Sequence, residues 1–322
     1  MDPLRSFLLV LALLWPWRVY AQSAAVEPMP PAELEALLSV DADPATRQAS
    51  MLKLVGLAQS GQGYPAFILG ALYRHGMDHP ARLVERDEET ARHWLEKCVE
   101  SRGCPLLALA SLAELELAAG NAKPAMQWAQ AWIVLDREHE RQSRSRPLRT
   151  RDEEYQYTSY QAYLIGRCYR IMPKARDASA LGKQWFNELR VARGVVLDRL
   201  LFDALDPGAA WNPAGASTDA SGNGLQISAE NQHRKEIRPD APQPFSPAMG
   251  LYLYRGAPAG GRAENIELIE ALPTPPAARG LMQLARDLRT KPYEPADNGF
   301  RRYGFVPVSY NDWVHSLVPD GK

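Results

Sequence analysis

Near residue 66 the chain spells out one complete helix pair. Ala66, Leu69, Gly70, Leu72, Tyr73 and Gly76 fall on one face of a short helix that ends at a glycine. Asp87, Ala91, Trp94, Leu95 and Lys97 then fall on one face of a second helix, which starts after Asp87. Such a pair cannot bury its apolar face alone, so it stacks on copies of itself. This feature predicts an α-solenoid and an interaction surface rather than a reaction centre.

The copies can be followed in register. Gly63-Tyr64-Pro65 recurs as Gly103-Cys104-Pro105, and Leu69 and Leu72 are answered by Leu109 and Leu112. The second helices share Ala91 with Trp94 and Ala125 with Trp128; a looser copy carries Ala162, Leu164, Gly166 and Tyr169, then Gly182 and Trp185. Small residues at these points let helices cross closely, and tryptophan fills the gap between pairs as core. The periodicity predicts helices near 32–39, 44–59, 64–75, 87–100, 104–119, 122–140, 152–172 and 177–204, within a helical domain over 32–205. Asp43-Pro44 marks one of the helix starts.

After it, prolines and glycines punctuate a polar stretch over 206–247, the composition of a flexible linker. The pattern then changes period. Leu251-Tyr-Leu-Tyr254 and Asn265 to Leu272 alternate as strands, with Gly256 to Gly261 as the turn between them. A helix from 277 to 289 carries Leu281, Leu284, Ala285 and Leu288 on one face, and Arg302 to Tyr310 reads as a last strand. The order gives a small α+β domain over 248–322, an antiparallel sheet with one helix on a face. The whole is therefore mainly α. Glu267 and Glu270 alternate with apolar neighbours and are expected on the solvated face of their strand.

The first residues set the compartment. A single basic residue, Arg5, precedes an apolar run from Phe7 to Trp17, and Val19-Tyr20-Ala21 ends in a small residue. That is the pattern of a secretory signal peptide over 1–21. A short tether over 22–31 follows. The run falls short of the about 20 apolar residues of a membrane span; the competing reading is an uncleaved inner-membrane anchor facing the periplasm. Net charge is −1, and with export this argues against nucleic acid.

Of the three cysteines, Cys98 and Cys104 flank a turn between two helices, within disulfide reach. The alternative for them is two buried thiols acting as small hydrophobes. Cys168 is left over inside a helix.

No motif for catalysis, phosphate binding or a cofactor occurs. His75 and His79 are four apart, but Gly76 and Pro80 argue against one helix face, so no metal site is assigned. The basic run from Arg137 to Arg151 reads as a solvated interhelix loop.

The run Ala66, Leu69, Gly70, Tyr73, Gly76, then Asp87, Ala91, Trp94, Lys97 resembles the Sel-one-like repeat, a relative of the tetratricopeptide repeat. The resemblance implies a curved helical scaffold that binds protein. Secreted cysteine-rich members carry cysteines at the places of Cys98 and Cys104, which implies that these two pair. In the last region Leu284, Arg289, Tyr293, Pro295, Ala296, Asn298 and Gly299, then Val306-Pro307-Val-Ser-Tyr310, resemble the C-terminal domain of TonB-type energy transducers. That resemblance implies binding by strand addition, with Arg302, Tyr303, Phe305 and Tyr310 as the candidate partner-binding residues. Together they suggest a non-enzymatic periplasmic scaffold of a Gram-negative cell envelope. Its helical repeats would hold one protein partner, and its small domain another, such as an outer-membrane receptor or an envelope complex. The alternatives are a membrane-anchored energy transducer and a cell-wall or lactam-acting enzyme.

Overall fold

The computed structural model describes residues 29–143, 156–174, 177–205, 247–287, 289–290, 292, 303–309 and 315–316. The expected signal peptide, residues 22–28 of the tether and nearly the whole linker lie outside these residues, while Met29 at the tether's end is buried in the core and Pro31 opens α1. No helix among the described residues is long and apolar enough to cross a membrane.

The protein is mainly helical with a small antiparallel sheet. The helices are α1 (Pro31–Leu38), α2 (Pro44–Gln59), α3 (Gly63–His75), α4 (Glu88–Glu100), α5 (Leu107–Ala118), α6 (Ala122–Ser143), α7 (Ser159–Ile171) and α8 (Ala178–Leu205). Local chemistry sets several of their starts. Asp43 accepts from the Thr46 amide with Pro44 in the first turn, and Asp87 accepts from the amides of Glu89 and Thr90. α7 starts later than its apolar periodicity suggests because Thr158 and Gln161 close a capping box. α6 continues through Arg137 and Arg141 to Ser143, so the first part of the basic run is helix rather than loop; 144–155 lie outside the described residues.

Consecutive helices pack on one another from α1 to α7. The first helices of the pairs, α3, α5 and α7, form one layer, and α4, α6 and α8 form the other. Two pattern glycines make this packing feasible. A Cβ on Gly70 would lie 2.6 Å from Leu95 of α4, and Gly76 turns the chain at φ +56° with the Arg86 backbone where a side chain would go. α8 is kinked at Arg193 and reaches back from α6 to α4. There Arg199 donates to the carbonyls of Val99 (2.5 Å) and Glu100 (2.6 Å), satisfying the last turn of α4.

Cys98 and Cys104 form a disulfide with their Cα atoms 5.2 Å apart, and Cys168 is a buried free thiol. Burial pushes the Cys168 thiol up to about 12. Thiol titration of unreduced, denatured protein should therefore count one thiol. Cys98→Ser should lower unfolding stability by about 2 kcal/mol, the closure entropy of so short a loop; three titrated thiols would refute the pairing.

In the C-terminal region, β2 (Met249–Arg255), β4 (Asn265–Leu272) and β6 (Tyr303–Ser309) form a three-stranded antiparallel sheet in the order β4-β2-β6, and α9 (Arg279–Asp287) packs on one face. Short pairs join β3 (Gly261–Arg262) to β5 (Arg289–Thr290), and β1 (Gln156–Tyr157) to β7 (His315–Ser316). The sheet separates two cores. Tyr252, Tyr254, Leu268 and Ala271 face Leu281 and Ala285 of α9. Leu251, Leu253, Ile269, Leu272, Tyr303 and Phe305 join the core of the helical layers. The two regions thus share one core: the small domain sits on α1, α3 and α5.

Candidate functional site

The surface between helices and sheet carries a cluster of buried polar groups. Its centre is Glu270, fully buried on β4. Its Oε1 accepts from Arg74 Nη2 (2.7 Å), His75 Nε2 (2.5 Å) and its neighbour's amide, Ala271 N (2.8 Å), and Oε2 accepts from Ser111 Oγ (2.6 Å). Arg74 and His75 come from the last turn of α3, and Ser111 from the middle of α5. Burial alone would push the carboxyl up; the Arg74 guanidinium and His75 beside it override this and hold it well below the usual carboxylate range.

This corrects the expectation for the two glutamates. Residues three apart in a regular strand point to opposite faces, so Glu267 and Glu270 could not share one. A β-bulge changes the count: Leu251 pairs with Glu270 and Tyr252 with Leu268, leaving Ile269 as the extra residue. Ile269 and Glu270 therefore both face the helices. Glu267 shares that face, opposite Leu253, where Asn265 donates to it at 3.1 Å and burial raises its carboxyl. The face is the one covered by α1, α3 and α5, not a solvated one.

A second carboxylate works in the opposite direction. Glu35 of α1 accepts from Arg255 Nη1 (3.0 Å) on β2, Asn265 Nδ2 (2.6 Å) on β4 and Tyr303 Oη (2.7 Å) on β6. One acid from the sheet is thus saturated by the helices, and one acid from the helices by all three strands. A buried charge is tolerated only when its lone pairs are filled in this way.

Main-chain bonds complete the dock. Arg74 donates to the carbonyls of Ala271 (2.6 Å) and Pro273 (2.9 Å), and His79 Nε2 faces that of Ile269 at 3.4 Å. Alternate carbonyls at the C-terminal end of β4 and just beyond it are taken by α3 and the turn after it, so this end of the edge is covered. β6 is the other edge.

Beside the dock lies a cavity of about 90 Å³ lined by Arg74, His75, Asp78, Glu114, Arg167 and Pro273, among others. Its charges are matched: Arg167 Nη1 lies 2.6 and 2.7 Å from the two Glu114 oxygens, and Tyr160 Oη donates to the same carboxylate at 2.6 Å.

Of the candidate partner-binding residues, Arg302 and Tyr310 lie outside the described residues. Tyr303 and Phe305 are brought together on β6, but their side chains point into the molecule. Tyr303 bonds Glu35, and the Phe305 ring meets Tyr64 edge-on at 5.6 Å. They hold the sheet to the helices. His75 and His79 do not share a helix, since α3 ends at His75, yet their rings stack at 6.3 Å. Among the described residues no group of three or more His, Cys, Asp or Glu is placed to hold a metal ion.

The chain matches no family model, no curated protein and no solved structure.

Proposed function

We propose that this chain is a non-enzymatic binding scaffold, exported to the periplasm of a Gram-negative envelope, that captures an extended segment of a partner protein by strand addition along β6. On this reading the helix pairs are Sel-one-like and stack as a solenoid, and the sheet with α9 is a domain of the TonB C-terminal kind. The observation that carries the proposal is the asymmetry of the sheet. Arg74 and His79 take carbonyls at the C-terminal end of the β4 edge, while β6 is the edge away from those side chains. Pro307 within β6 removes one donor and keeps the edge from being a regular template for self-association. The sheet also covers α3 and α5, so a partner of the helical region would meet the layer of α4, α6 and α8.

A photo-crosslinking residue at Pro307, which is exposed, tests this against one at Lys183, exposed on α8. In intact cells the Pro307 probe should give an adduct with one envelope protein, mapping to a single extended segment of it. No adduct at Pro307, or the same adduct from Lys183 alone, would overturn the β6 mechanism.

A further inference from the structure

His75 and His79 sit where the helices meet the sheet, and both are buried. The hydrogen bonds of His79 fix its proton. Nδ1 accepts from the Ala81 amide at 3.1 Å, so the single proton of the neutral ring is on Nε2, facing the Ile269 carbonyl. A second proton on Nδ1 would set one N–H against another. It would also add positive charge beside the stacked His75 ring and Arg74.

The surrounding groups offer little to absorb that charge. Glu270 of β4 is held by Arg74, His75 and Ser111. Glu114 of α5 is held by Arg167 and Tyr160 of α7. Arg86, in the connection before α4, pairs with Glu88, and Asp78 is exposed to solvent.

We propose that His75 and His79 make docking of the sheet proton-sensitive, so that acid loosens the sheet from the helical layer while the helices stay folded. Undocking would free the carbonyls of Ile269, Ala271 and Pro273 and the Arg74, His75 and Ser111 groups that hold Glu270.

The sign follows from linkage. Burial first, and then His75, push the His79 ring down from 6.5 to about 3. Burial first, and then Arg74, lower His75 as well. A ring whose pKa falls on docking takes up its proton only when undocked. Docking is then at full strength above pH 6.5 and weakens as pH falls from there toward 3. The lowered carboxyl of Glu270 acts in the same direction, but only below its ordinary value of 4.5.

Amide exchange in the full-length protein reads the dock through Glu270, because the Ala271 amide donates to the carboxylate that Arg74, His75 and Ser111 hold in place. Between about pH 7.5 and about pH 5, after correction for intrinsic rates, Ala271 protection should fall by up to roughly 30-fold from His79 alone. Leu95 and Leu112, in the helical core, should keep theirs. His79→Asn should shrink the Ala271 change to the part that His75 supplies. Ala271 protection that holds steady over this range would overturn the proposal. So would a His79 ring in the wild-type protein that titrates near 6.5 by NMR, a measurement that needs no variant to fold.

Discussion

Glu270→Ala is expected to cost about 3–5 kcal/mol of unfolding free energy, because it leaves the Arg74 guanidinium buried without its counter-charge. The side chains of this pair are 0% and 6% exposed, so solvent does not screen the loss. The deletion also removes the acceptor of Ser111 and of the Ala271 amide. Glu270→Gln keeps the volume and should still be strongly destabilising, since the amide cannot neutralise Arg74. Denaturant unfolding measures both. A loss below about 1 kcal/mol, the level of an exposed ion pair, would mean that water reaches Arg74 and that the dock is loose.

Trp94→Ala should be of similar size, about 3–5 kcal/mol. Trp94 lies one turn after Ala91 on α4 and belongs to the main core, with 9% of its surface exposed. Its ring meets His93 edge-on at 5.2 Å and carries the Lys97 ammonium 5.3 Å from its centroid. Truncation leaves a cavity that the disulfide-linked end of the helix cannot relax to fill. The effect should appear in the thermal midpoint; an unchanged midpoint would make Trp94 a surface residue.

The helical half was legible because its signals are local. Apolar spacing, Asp43 and Asp87 as caps, and glycines at tight contacts each act over a few residues, and the helices run close to where the spacing puts them. The strands and α9 were legible for the same reason. The docking of the two regions was not, because it depends on residues far apart in the chain. Arg74 and Glu270 are 196 positions apart, and a bulge at Ile269, which no residue type announces, turns Glu270 toward the helices.

One signal of the dock was present in the sequence. The helix Leu107–Ala118 is apolar on nearly every face and carries Ser111 and Glu114 in its midst, and Gly63 to Leu72 reads almost without polar interruption. A helix that is apolar all round is covered on every side. In a two-layer stack of helices, the first helices keep one face for solvent or a partner. Here their composition required a further layer, and the chain's own sheet supplies it.

Exchanged carboxylates lock helices and sheet into one unit. A double-mutant cycle with Arg74→Met and Glu270→Gln in the full-length protein measures this lock. The coupling energy should be about 2–3 kcal/mol, with the double variant more stable than additivity allows. Coupling below about 0.5 kcal/mol, with the two losses simply adding, would contradict it.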